Sequence, residues 1–194
     1  WGSLLFLSPL WPMAVAYPKL LEEWELRVIH KGQSARQVEQ QLFGVRLLDL
    51  CLGLTEASVI MEEINRAGGN SGACHGQMYN MNTLLRHGSK AQKDYYLPKI
   101  ATGEWRLQSM GVTEPTTGTD TTKIKTSAVR KDGRYVVNGQ KVWISRVQHS
   151  DWMILLARTT PLAEVTKKSE GMSIFMVDLH EAQKKGLTVR PIPN

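Results

Sequence analysis

Residues 110–145 read MGVTEPTTGTDTTKIKTSAVRKDGRYVVNGQKVWIS, and two parts of that stretch carry side chains suited to chemistry. The first, Gly111 to Thr122, holds six threonines: Thr113, Thr116, Thr117, Thr119, Thr121 and Thr122. Pro115 stiffens the turn, and Gly118 lets backbone come close to a ligand. Hydroxyls and free loop N–H groups are neutral donors, the kind of set that cradles a phosphate. The second part places an indole, Trp143, two residues from a hydroxyl, Ser145. On a strand these share a face about 7 Å apart, which suits a flat ring stacked on Trp143 and hydrogen-bonded by Ser145. Both parts have a plainer reading, as solvated turns closed by threonine hydroxyls and as ordinary packing of a tryptophan in a core.

The elements that must position these residues are legible from turn chemistry. Asp132-Gly133 and Asn138-Gly139 are hairpin dipeptides flanking Tyr135-Val136-Val137, so Thr126 to Ser145 is expected to form an antiparallel meander. Val142 and Ile144 would face the core, with Trp143 and Ser145 on the opposite face. Apolar runs at Trp152–Ala157 and Ser173–Val177 read as strands joined by the polar, exposed connector TTPLAEVTKKSEG, and Leu187–Ile192 begins one more. Upstream the period changes to that of helices. Leu20, Leu21, Trp24 and Val28 start a helical pattern over 19–52. Ala57, Ile60, Met61 and Ile64 make a stripe halted by Gly68-Gly69. Ser71 to His87 mixes small residues with Met78, Met81, Leu84 and Leu85, the methionines reading as core filler, and Ser89-Lys90-Ala91-Gln92 is a capping box for a further helix that Pro98 should interrupt. The fold class is α+β, with helices first and an antiparallel β-domain after a boundary near Gly103.

Composition narrows the partners. The chain has 194 residues, 42% hydrophobic and 22% charged, with a net charge of +6 that is compatible with an anionic ligand. Lysines and arginines are scattered, with no run longer than Lys167-Lys168 or Lys184-Lys185, which argues against nucleic-acid binding. Cys51 and Cys74 lack metal-ligand spacing and read as buried thiols of a reducing compartment, so no metal is expected. His75 and His87 read as capping or surface residues. The opening WGSLLFLSPLWPMAVAY is too short for a membrane span. Its Ala14-Val15-Ala16 has the look of a cleavage site, but the basic region of a signal peptide is missing, so no signal peptide is expected over 1–16 and the segment's origin stays open.

MGVTEPTTGTD followed by NGQKVWIS resembles the flavin-binding signature of the acyl-CoA dehydrogenases, two motifs in the family's order and spacing. YLPKIATGEW, Tyr96 to Trp105, resembles the family's link between helical and β domains. The resemblance covers about Gly53 to Asn194; residues 1–52 depart from it, lacking the Gly-rich turn usual before Gly53. It implies a helical domain over 53–103 and a β-domain over 104–194, incomplete at its end, with the family's C-terminal four-helix domain lying beyond Asn194. It implies FAD as cofactor, held by Met110, Gly111, Val112, Thr113, Glu114, Pro115, Gly118, Thr119, Trp143, Ile144 and Ser145. Within that set, Val112 and Thr113 would touch the flavin ring, Gly118 and Thr119 the phosphates, Trp143 the ring face and Ser145 the region of N5, with Thr119 also meeting the acyl-CoA substrate. Thr119 stands where many members have Ser, and Ser145 where many have Thr; both keep the hydroxyl.

The chemistry implied is removal of a proton next to a thioester as a hydride leaves the neighbouring carbon, which needs a carboxylate base. In the family that Glu belongs to the C-terminal domain, so no catalytic residue is assigned here, and Glu114 is read as structural. The isolated chain is expected to be inactive, to expose an apolar sheet face and to oligomerise or dissolve poorly. Two alternatives remain open: an acyl-CoA oxidase-like flavoprotein, and a silent module binding acyl-CoA or a partner. The resemblance also implies an electron-transfer flavoprotein as acceptor, a homo-oligomer at full length, and a mitochondrial, peroxisomal or bacterial cytoplasmic setting.

Overall fold

The computed structural model describes residues 54–192. The apolar opening at 1–17, the helical pattern over 19–52 and Cys51 lie outside the described residues. Three helices come first: α1 (Leu54–Arg66), α2 (Ser71–His87) and α3 (Lys90–Ala101). Then follow β1 (Leu107–Gly111), β2 (Ser127–Lys131), β3 (Arg134–Asn138), β4 (Trp152–Arg158), β5 (Met172–Asp178) and the short α4 (Leu179–Lys184).

Local signals set the helix ends. The Asn70 side chain accepts the Gly72 N–H to cap α2, whose last carbonyls are closed by the Gly88 N–H bonding to Leu84. Ser89 and Gln92 form the reciprocal capping box expected of them. Pro98 does not interrupt α3, which runs on to Ala101. It sits on the exposed side near the helix end, where the carbonyl it leaves without a donor can be hydrated and the Thr102 N–H bonds back to the Pro98 carbonyl. In α1 the expected stripe shows as buried Ala57 and half-buried Met61 and Ile64.

β4 is the spine of the sheet. β1 runs parallel to it along one edge, with Met110 opposite Ile154 and Gly111 opposite Leu155. β2 takes up the same edge further along, Ser127 opposite Arg158. β5 pairs antiparallel along the other edge, from Trp152 opposite Asp178 to Arg158 opposite Met172. A strand covered on both edges and both faces reads as a nearly continuous apolar run, and WMILLAR is one. Its residues alternate between two cores. Ile154 packs with Met81, Leu84, Ile100 and Leu107 under the helices. Met153 and Leu155 pack on the far face with Leu179, Ile144, Val147 and Phe175.

The hairpin is formed as expected, β2 against β3 with Lys131 opposite Arg134. Asp132 and Gly133 both have positive φ (49° and 76°), the conformation that matches the twist of a two-residue hairpin. The meander stops there. Residues 139–146 form no ladder, because Trp143 and Arg146 both turn into the left-handed region at φ 59°. Leu187–Ile192 forms no strand either, so the sheet has no sixth strand among the described residues. The sheet is also mixed rather than purely antiparallel, since β1 and β2 both run parallel to β4. Val129, Tyr135, Val136, Val137 and Ile174 are exposed.

Ile154, only 2% exposed, and Ile174, 53% exposed, separate core from surface in neighbouring strands. Ile154→Ala should lower unfolding free energy by about 2–5 kcal/mol, and Ile174→Ala by less than about 0.5 kcal/mol. Urea unfolding at constant slope reads both.

Candidate functional site

β1 ends at Gly111, and the chain leaves the sheet for residues 112–126 before returning as β2 on the same edge of β4. This excursion is the threonine-rich loop. Its threonines divide into two sets. Thr117 donates to the Lys123 carbonyl at 3.2 Å, and Thr122 to Asp120, which caps the short turn Thr121–Lys123. These two are the closed turns of the plain reading. The hydroxyls of Thr113, Thr116, Thr119 and Thr121 take no partner among the described residues, and Thr116, Gly118 and Thr119 are exposed. A Cβ placed on Gly118 would meet nothing within 4 Å, so the loop presents open space beside its backbone there.

Residues 141–146 lie along the outer side of β1 and its extension. The Val142 N–H donates to the Thr113 carbonyl at 2.9 Å. The Lys141 ammonium donates to the Val112 carbonyl at 2.9 Å, the Ser109 hydroxyl to the Ser145 carbonyl at 3.2 Å, and the Arg146 Nε to Gln108 Oε1 at 2.8 Å. As one segment ascends the other descends, so the two site motifs run antiparallel side by side despite the missing ladder. Their side chains keep the expected alternation. Val142 and Ile144 are half-buried, Ile144 against the Met153–Leu155 core, while Trp143 is 70% exposed and Ser145 is exposed. Met110 packs against the helical core and Gly111 is buried, so they support the site from beneath. Pro115 is exposed at the turn closed by the Glu114–Thr117 bridge.

One buried clasp fixes this arrangement. The Glu114 carboxylate, 5% exposed as a residue, accepts from the Lys125 N–H at 2.7 Å and the Thr126 N–H at 2.9 Å. It also accepts from the Thr126 hydroxyl at 2.6 Å and the Lys141 ammonium at 2.9 Å. Burial alone would raise the carboxyl's pKa. The Thr126 hydroxyl, the Lys125 N–H, the Lys141 ammonium and the Thr126 N–H more than reverse it and hold the pKa at about 2. Burial in turn draws the Lys141 ammonium below its ordinary value, with Glu114 opposing. Gly139 is part of the same fit, since a Cβ there would lie 2.3 Å from the Thr126 hydroxyl. With both oxygens of the carboxylate engaged by its own chain, Glu114 shapes the loop.

Arg158, at the end of β4, is a second staple. Its guanidinium donates to the carbonyls of Glu170 at 3.1 Å and Lys168 at 2.9 Å, and to that of Thr122 in the threonine loop. Lys141, Thr126 and Arg158 escape a reading of the sequence. Lys141 lies in the motif two residues before Trp143, but its partner is 27 residues away, and Arg158 is visible only as a charge closing an apolar run.

Beside Ser145 a cavity of about 300 Å³ opens between α2 and β1, lined by Asn70, Gly72, Ala73, His75, Gly76, Tyr79, Gln108, Ser145 and Arg146. Gly76 lets the helix press on the sheet, since a Cβ there would lie 3.0 Å from the Gln108 carbonyl. His75 is an exposed residue edge-on to Tyr79, and His87 is exposed. Cys74 is buried. Among the described residues, no group of three or more His, Cys, Asp or Glu is placed to hold a metal, and no helix is long and apolar enough to cross a membrane.

Because Glu114 is held well below its unfolded pKa of about 4.3, its contribution to stability is complete above that value and is lost as pH falls toward about 2. Lys141→Met should cost about 3–5 kcal/mol at neutral pH by leaving a buried carboxylate without its ion partner. It should also move the acid loss of stability to higher pH. Urea unfolding of both proteins across pH 2–6 checks this; superimposable acid profiles would contradict the clasp.

Comparison with known proteins agrees with the geometry. The family model for the acyl-CoA dehydrogenase N-terminal domain matches residues 39–104, beginning upstream of Gly53, and that for the acyl-CoA dehydrogenase middle domain matches 109–194. Mitochondrial isovaleryl-CoA dehydrogenase of Pongo abelii is 39% identical over 129 residues, 66% of this chain and 30% of the relative. The crystal structure of an acyl-CoA dehydrogenase from Geobacillus kaustophilus superposes with a TM-score of 0.68 at 26% identity, covering 90% of this chain and 49% of that one. A glutaryl-coenzyme A dehydrogenase in complex with glutaryl-CoA gives 0.61 at 29% identity, covering 75% and 38%. The aligned region thus spans about a third to a half of these relatives. With both domain models matched in order along the sequence and the fold shared, the chain belongs to the acyl-CoA dehydrogenase family.

Proposed function

We propose that residues 110–119 and 143–145 form the flavin and thioester platform of an FAD-dependent acyl-CoA dehydrogenase, which takes hydrogen from adjacent carbons of an acyl-CoA. The observation that carries this reading is the Val142–Thr113 hydrogen bond, which sets the exposed Trp143 and Ser145 alongside a loop whose outward hydroxyls lack partners. The residues present fit the cofactor. Thr113, Thr116, Thr119 and Thr121 offer donors to phosphate, Gly118 leaves space for close approach, and Trp143 offers a flat apolar face. Val112 and Thr113 would border the ring and Ser145 its N5 region, with Thr119 shared between cofactor and acyl-CoA. FAD, when bound, supplies the acceptor for the hydride at N5.

The chain's own residues bind and orient. Glu114 is unsuited to proton abstraction: a general base works near the operating pH, and this carboxylate sits at about 2 with its oxygens engaged. The base would come from elsewhere in a complete enzyme. Residues 53–103 and 104–194 are the helical and β units of this reading, with 1–52 an atypical segment of open origin into which the N-terminal domain model reaches from residue 39. An electron-transfer flavoprotein as acceptor, a homo-oligomeric complete enzyme, and a mitochondrial, peroxisomal or bacterial cytoplasmic setting follow from the same family reading.

Titration with FAD tests the platform without turnover. The chain should bind FAD with quenching of tryptophan fluorescence, and Trp143→Ala should weaken binding about tenfold, the worth of a stacking contact of roughly 1.4 kcal/mol. Absence of FAD binding, or an affinity untouched by Trp143→Ala, would overturn the placement.

A further inference from the structure

Ser109 and Ser150 are buried hydroxyls, 0% and 6% exposed, lying behind the segment that carries Trp143 and Ser145. A bulge turns Ser109 that way. Leu107 pairs with Trp152 and Ser109 with Met153, leaving Gln108 as the extra residue on β1. Strand alternation alone would set Ser109 on the face of Leu107, under the helices. The extra residue moves it to the face of Met153, where Ile144 and Val147 pack. There the Ser109 hydroxyl donates to the Ser145 carbonyl at 3.2 Å, and the Ser150 hydroxyl to the Arg146 carbonyl at 3.0 Å. The two hydroxyl oxygens lie 2.8 Å apart. Three contacts thus share two hydroxyl protons. The Arg146 carbonyl keeps the His149 N–H at 2.9 Å whether or not Ser150 donates to it. The arrangement that keeps both carbonyls bonded and also joins the hydroxyls is therefore a donor chain from Ser150 to Ser109 to the Ser145 carbonyl, each bond polarising the next.

We infer that Ser109 is a positioning residue for the flavin platform: supported by Ser150, it fixes the Ser145 carbonyl and so aims the Ser145 hydroxyl and the Trp143 indole. The inference rests on the flavin reading of those two side chains and deepens it. The segment needs such a tie because its backbone is costly at both ends. Trp143 and Arg146 are left-handed at φ 59°, a conformation that Gly, Asn and Asp take readily and other residues keep only where their surroundings impose it. With its carbonyl drawn in to a buried hydroxyl, Ser145 keeps its side chain exposed beside the threonine loop. Without that bond the Arg146 turn is free to relax toward ordinary backbone, and Ser145 and Trp143 lose their fixed aim.

Two readouts on the full chain test this: titration with FAD, and hydrogen exchange of the His149 amide without FAD. Ser109→Ala should weaken FAD binding at least fivefold and speed His149 exchange at least tenfold. Ser150→Ala should do less on both, since Ser109 keeps its own proton for Ser145. Ser173→Ala, which breaks the hydroxyl pair with Thr159 at 2.9 Å elsewhere in the sheet, should change neither; circular dichroism confirms that each variant is folded. Adding Arg146→Asn to Ser109→Ala should bring FAD affinity back to within about twofold of the unaltered chain, because Asn takes the left-handed turn unaided. FAD affinity untouched by Ser109→Ala overturns the inference and leaves the platform reading intact, whatever the exchange rate does. So does a Ser150→Ala effect as large as that of Ser109→Ala, or a failure of Arg146→Asn to restore binding. Absence of FAD binding by the unaltered chain overturns the platform reading and the inference together.

Discussion

A carboxylate and an ammonium buried together, Glu114 and Lys141, hold the two halves of the site in one place. Neither half is regular structure. The threonine loop leaves the sheet after Gly111, and the Trp143 segment breaks out of extended geometry at two left-handed residues. Irregular backbone of this kind is positioned only by what ties it down. Glu114 draws in the Lys125 and Thr126 N–H groups that would otherwise be left open, and Lys141 crosses to the Val112 carbonyl. Desolvating two charges is offset here because both are also hydrogen-bonded to the chain, the condition under which a buried pair is tolerated. The pair's value is geometric as well as energetic, since it decides where Trp143 and Ser145 lie relative to Thr113.

That clasp in turn needs a rigid platform, which β4 provides. It has β1 and β5 on its edges and an apolar cluster on each face. Its last residue, Arg158, reaches three carbonyls in two loops. Helix α2 lies against β1 at the position where Gly76 removes the side chain that would keep them apart. The site and the cavity beside it therefore share a wall, Gln108 to Arg146, and a displacement of either segment would be felt on both sides of it. This proximity sets one short stretch, Trp143 to Arg146, against both the threonine loop and the cavity.

Short-range chemistry was readable directly from the residues. The Ser89–Gln92 box, the Asp132-Gly133 turn and the apolar runs of β4 and β5 depend on neighbours within a few positions, and each formed where expected. The alternation of Trp143 and Ser145 with Val142 and Ile144 also survived, although the strand that should have produced it did not form. Pro98 shows the opposite limit. Its effect on a helix depends on where the vacated carbonyl points, and an exposed position one turn from the end made it harmless.

The sequence by itself determined the α+β composition, the family signature and the residue types of the site, because those rest on local periodicity, turn dipeptides and motif order. Tertiary structure decided which hydroxyls face outward, that Glu114 is spent on Lys141 and Thr126, and that a bulge at Gln108 meets α2 and Arg146 around a cavity. Those outcomes depend on pairs far apart in the chain, and the free energy of burying a charge or leaving an amide without a partner is set only when the distant partner has arrived.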